Sequence, residues 1–189
     1  MGDRVNVQDL GGTAAGKKRR TSKARRRGIP PVNWRPSPLM TAASAGDFKL
    51  AERLIVQGAA VHHTDWANTS VLMCAAEGGN LELVNRLIGL GCDVHAVDDA
   101  GVTTLMYAAM GGNLEIVKRL VGLDVDVAAR DRDGMDARRH ARHARENADD
   151  SHHEHNQHMK ILEYLSEEVR REEEQNRAET EAMWRHHVQ

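Results

Sequence analysis

Ser37-Pro38-Leu39-Met40 returns as Ser70-Val71-Leu72-Met73 and again as Thr103-Thr104-Leu105-Met106, each time 33 residues further on. The register holds along the whole unit: Ala42-Ala43, Ala75-Ala76 and Ala108-Ala109; Gly46, Gly79 and Gly112; Leu54, Leu87 and Leu120; Asp65, Asp98 and Asp131. Self-similarity at a fixed period of this length marks a repeat architecture, in which one supersecondary unit stacks on the next. No single unit of this size buries its own apolar face, so the copies must pack side by side.

Each unit reads as two short helices joined by a turn. Ser37, Ser70 and Thr103 are N-caps, because a hydroxyl there accepts a bond from an otherwise unpaired helix amide. Pairs of Ala follow, which let neighbouring helices approach closely. Gly46, Gly79 and Gly112 end the first helix where a left-handed conformation is needed. Leu81, Val84, Leu87 and Ile88 then form one apolar face at helical spacing. Gly58 and Gly91 close that second helix and lead into an extended turn that carries the Asp. Aromatic residues are only 3% of the chain against 40% hydrophobic, so the core is Leu, Val, Ile, Ala and Met. That suits stacked helices better than strands, which favour aromatic and β-branched side chains.

These positions resemble the ankyrin-repeat family, whose pattern G-T-P-L-H-x-A-A-x-x-G-x-x-x-x-V-x-x-L-L-x-x-G-A is matched from about Asn33 to Asp131. The resemblance implies an all-α solenoid of helix-turn-helix units that recognises other proteins. One departure is systematic: the family's histidine is Met40, Met73 and Met106 here, which exchanges a hydrogen-bonding group for a flexible apolar one.

A degenerate fourth unit begins at Asp133-Gly134-Met135-Asp136, with Arg138 in the place of Leu105. Its second-helix signature, Ile161-Leu162-x-x-Leu165, lies 45 rather than 33 residues after Ile116-Val117-x-x-Leu120, so an insertion falls around Asn147 to His158. A polar outer face is what a terminal capping repeat needs. Beyond Leu165 the sequence is charged and helix-favouring, with Glu167/Arg171 and Glu173/Arg177 at i,i+4. The chain therefore divides into an arm over 1–32, a repeat domain over 33–165 and a helical extension over 166–189. Within the domain the units run 33–65, 66–98 and 99–131, with the cap at 132–165.

Charge is segregated. Residues 1–38 carry +8 and residues 39–131 carry −6, although the whole chain is at −2. Lys17, Lys18, Arg19, Arg20, Lys23, Arg25, Arg26 and Arg27 make a basic run without an apolar face or an aromatic residue. Such a run is disordered by itself. It suits a nuclear signal, the phosphates of RNA or DNA, or an acidic protein surface. Thr21 and Ser22 follow Arg19-Arg20 in a setting where phosphorylation would subtract charge.

Other chemistry finds little footing. Gly11 to Lys18 reads GGTAAGKK, but Lys18 occupies the place where Ser or Thr must follow the Lys, and polar sequence rather than a strand precedes it, so no nucleotide site is expected. His140, His143, His152, His153, His155 and His158 cluster, with some pairs at the i,i+3 spacing of a chelate. They are read as a polar insertion rather than a dedicated metal site. No nucleophile, base and acid stand in a patterned arrangement, so neither catalysis, cofactor nor small-molecule substrate is expected. Cys74 and Cys92 are read as buried free thiols of an intracellular protein, cytoplasmic or nuclear. No apolar run is long enough to span a membrane.

In the family that the repeats resemble, partners lie against the turn tips and the first helices. That implies Trp66, Asn68, Asp99 and Arg132 in the turns and Glu77, Tyr107 and Met110 on the helices as protein-binding candidates. Trp184, near the end of the extension, is a further anchor candidate. The acidic turns imply a basic stretch on the partner, and the arm implies a separate anionic one.

Overall fold

The computed structural model describes residues 35–147 and the helix His152–His187, the latter with side chains over 157–184. Eight helices follow in order: α1 (Pro38–Ser44), α2 (Phe48–Val56), α3 (Val71–Glu77), α4 (Leu81–Gly89), α5 (Thr104–Met110), α6 (Leu114–Val121), α7 (Ala137–Asn147) and α8 (His152–His187). Among the described residues there is no strand beyond two isolated bridges, Thr64 to Ser70 and Val97 to Thr103, that pinch the turns. The inner helices α1, α3, α5 and α7 stack in a row, and the outer helices α2, α4, α6 and α8 lie in a second row behind them.

The inner row is built on small side chains. Ala43, Ala75, Ala76, Ala108 and Ala109 are fully buried, and Leu39, Leu72 and Leu105 form a continuous buried line through the stack. A β-carbon at Gly78 would lie 2.2 Å from the Ala43 carbonyl oxygen, and one at Gly111 would lie 2.3 Å from that of Glu77. Glycine is required at both positions because backbone occupies the space. The outer helices contribute Leu83, Val84 and Leu87, then Ile116, Val117 and Leu120, all fully buried. In the first unit Leu54 is only partly buried and Leu50 is exposed.

The caps form as the spacing predicts. The hydroxyls of Ser37, Ser70 and Thr103 accept the amides of Met40, Met73 and Met106. The methionines do more than the sequence suggests. Met73 Sδ accepts the Ser70 amide at 3.3 Å, and Met106 Sδ accepts that of Thr103 at 3.4 Å. The thioether thus closes a capping box where Glu or Gln usually serves. In the second and third units the methionine at the family's histidine position thus makes a hydrogen bond within its own unit.

Side chains on the outer row tie each unit to the one before. Asn80 Nδ2 donates to the Gly46 carbonyl at 3.1 Å, and Asn113 Nδ2 to that of Gly79 at 2.7 Å. On the solvent side Arg86 pairs with Glu52 at 3.2 Å, and Arg119 donates to Asn85 Oδ1 at 3.0 Å.

The end unit differs from its expected form. From His152 the inserted residues are already helix, and α8 runs without a break through the second helix of the cap and the charged extension. His158, 45 residues after Asn113, takes over the Asn role: its Nε2 lies 3.1 Å from the Met110 carbonyl oxygen, and its ring rests on Gly112. Ile161, Leu165 and Val169 bury the start of α8, whereas every described side chain from 170 to 184 is exposed. No helix among the described residues is long and apolar enough to cross a membrane.

One buried group is unsatisfied. Thr104 Oγ1 is fully enclosed and has no hydrogen-bond partner among the described residues. Val71 fills the same place one unit earlier and is equally buried. Thr104→Val should therefore stabilise the protein by about 1 kcal/mol, the lower end of the penalty for an unpaired buried hydroxyl. Urea denaturation checks this: the midpoint rises with an unchanged slope.

Candidate protein-binding surface

The turns between units are stiffened by their aspartates. Asp65 Oδ1 accepts the amides of Ala67 and Thr69 at 2.8 and 2.7 Å. Asp98 Oδ1 accepts those of Ala100 and Val102, both at 2.8 Å, and Asp131 Oδ1 those of Asp133 and Met135 at 2.9 and 2.8 Å. Asp does this well because its short side chain folds back onto its own turn. Successive turns are then bonded to each other: the Asp99 amide donates to the Ala67 carbonyl at 2.8 Å, and that of Arg132 to the Ala100 carbonyl at 2.9 Å. The tips form one zippered edge.

The second carboxylate oxygen reaches the first helix nine residues later. Tyr107 donates its hydroxyl to Asp98 Oδ2 at 3.0 Å, and His140 Nε2 lies 2.8 Å from Asp131 Oδ2. Burial, together with the charge of Asp98, raises the Tyr107 hydroxyl far above the ordinary tyrosine range. Burial acts to raise Asp131 too, but the Met135 and Asp133 amides and the His140 ring hold its carboxyl below the usual aspartate value. In the first turn the matching helix position is Cys74, buried, whose thiol burial pushes up despite a bond from Ser44. A thiol raised in this way is a poor nucleophile.

The candidates named from sequence are distributed along this edge and helix row. Trp66 and Asp99 are half-buried at their tips, and Arg132 is exposed at the third. Asn68 is exposed, yet it has a structural duty that sequence reasoning did not assign. Its φ of 66° is left-handed, like Gly101 and Gly134 at the same register, and its Nδ2 donates to the Val97 carbonyl at 3.3 Å. Tyr107 likewise braces a turn. Glu77 is exposed on α3, although partial desolvation by its neighbours raises its carboxyl, and Met110 is half-buried beside His158. Trp184 stands 69% exposed on α8, far from these. The basic run Lys17 to Arg27 lies outside the described residues.

The histidine cluster is divided. His140 faces inward to Asp131 and His143 is exposed, so the two do not share a face open to a metal. Among the described residues no three His, Cys, Asp or Glu side chains gather as a metal centre requires. Sequence reasoning missed the brace at His140 and the staple at His158, although each holds a register position already marked, by Tyr107 and Asn113.

A family model for ankyrin repeats, in three copies, matches residues 33–141, more than half of the chain. No curated protein matches it.

The depressed Asp131 carboxyl fixes a pH dependence. A group whose folded value lies below its unfolded one stabilises the fold above the unfolded value, and that contribution is lost as pH falls through the folded value. Stability should therefore drop below about pH 4, the ordinary aspartate range. Asp131→Asn should be less stable than the natural chain at neutral pH and lose less on acidification. Denaturant titrations at the two pH values measure both slopes.

Proposed function

Because this chain belongs to the ankyrin-repeat family, we propose that it is a non-catalytic scaffold or adaptor that docks a partner protein along the zippered turn edge and the adjoining inner helices. Ankyrin repeats are in general protein-interaction modules. The observation that carries the reading is the edge itself. Asp65, Asp98 and Asp131 are used up in bracing the turns, while Trp66, Asp99 and Arg132 recur at one register position along a stiff line. A pre-stiffened surface avoids much of the ordering cost of binding. The net −6 over residues 39–131 favours a partner that brings a basic stretch. Free thiols at Cys74 and Cys92 support a reducing compartment.

A second reading rests on the basic run. Eight Lys and Arg within residues 17–27 favour a phosphate-bearing or acidic partner for the arm, and association through it should weaken steeply with salt. Deleting residues 1–28 should abolish that salt dependence in pull-downs and leave the melting temperature of the repeats unchanged. Equal salt sensitivity before and after deletion would remove the arm from the binding.

Trp66→Ala tests the main reading. Truncating a buried interface Trp costs about 2 kcal/mol, roughly a 30-fold loss of affinity. Titration calorimetry against the partner recovered from native purification should show that loss, with little change in thermal unfolding. Unchanged affinity, or an unfolded variant, would return Trp66 to the scaffold and place docking elsewhere.

A further inference from the structure

The last unit ends the stack with a face unlike any other. Arg138, Arg142 and Arg145 on α7 stand at the register of Leu105, Ala109 and Gly112 one unit earlier. Leu105 and Ala109 are buried, since α7 packs on α5. No fifth unit covers α7 among the described residues, and Arg142 is exposed. On α8, by contrast, the outer-row positions have stayed apolar. Met159 and Leu162, at the register of Leu114 and Val117, are 44% exposed and half-buried respectively. Between the two helices runs an open groove of about 660 Å³ lined by Arg142, Arg145, Met159, Lys160, Leu162 and Glu163, with Ser166 at one end.

Two properties define what fits there. The rim has three cations against the single carboxylate of Glu163. Neither Arg142 nor Lys160 meets a carboxylate among the described residues, and Arg145 hydrogen-bonds the Met159 sulfur instead. A face that only had to stay soluble would mix signs. Met159 and Leu162 supply an apolar patch between these charges, and no aromatic side chain lines the groove for base stacking. We propose that this groove is a second docking surface, which takes an acidic amphipathic helix of a partner protein in the place a further repeat would occupy. The apolar side of the helix covers Met159 and Leu162, and its carboxylates meet Arg142, Arg145 and Lys160. Arginine forks suit carboxylates because they bond in pairs. This surface lies at the end of the stack and is independent of the turn edge.

The full chain and a labelled Glu/Leu amphipathic peptide of about 15 residues, four helical turns, provide the test. The peptide should bind, shift the Met159 methyl resonance, and weaken as salt rises from about 50 to 500 mM. Arg142→Glu with Arg145→Glu should lower its affinity at least tenfold at an unchanged melting temperature, and should create affinity for the matching Lys/Leu peptide. Lys160→Glu gives the same reading if the double variant fails to fold. A Met159 resonance that does not move, or an affinity that charge reversal leaves intact, overturns the proposal. So does a single-stranded oligonucleotide that displaces the peptide and binds more tightly, which would make the groove a nucleic-acid surface.

Discussion

A methyl group at residue 78 would collide with the carbonyl of Ala43, and that close approach of backbone to backbone sets the terms for the rest of the molecule. Helices this near leave no room between them for large side chains. The core is accordingly Ala and Gly at the seam, with Leu, Met and Val filling behind, and so few aromatic residues suffice. Dense contact of many small groups sums to a large dispersion and hydrophobic gain. Because the first two seams repeat at 33 residues, the Asn80 and Asn113 staples fall at constant spacing, as do the turn-to-turn bonds.

The turn aspartates show how one frame accommodates different chemistry. Their first oxygen performs the same task three times. The second oxygen meets a phenol at Tyr107 and an imidazole at His140, while the first turn offers the thiol of Cys74. Moving along the stack, the position facing the turn passes from a buried thiol, through a phenol, to an imidazole. The scaffold stays constant while the side chain behind each turn changes from unit to unit.

The parts of this structure that could be read from sequence are those fixed by period. Leu39, Leu72 and Leu105, the three caps and the turn aspartates recur in step, and a repeated signal states its own register. What escaped reading depends on side chains that substitute for a type by geometry rather than by chemistry. Met73 and Met106 look apolar but present a sulfur lone pair to a cap amide. His158 replaces Asn113 across an offset of 45, so the replacement is visible only once α8 is known to begin at His152 and to carry the ring back over Gly112. His140 and His143 looked like neighbours on one face; packing of α7 on α5 turned one inward and left the other in water. Among the proposed contacts, Asn68 and Tyr107 are the two whose structural work was hidden, since neither a left-handed φ nor a bond to a distant turn is written in composition.

The continuity of α8 gives the molecule a mechanical character. Thirty-six residues of unbroken helix extend about 54 Å at the standard rise, and among the described side chains the buried ones run from His158 to Val169. The remainder is a lever whose fulcrum lies near Val169. A load applied at Trp184 is delivered to the gripped arm, where His158 holds the Met110 carbonyl and Ile161 and Leu165 fill the last seam. Solenoids hold by nearest-neighbour contacts, so the unit that first feels such a load is the C-terminal one, to which α8 is packed. Whatever grasps the tip of the helix therefore acts on the repeats through that one seam.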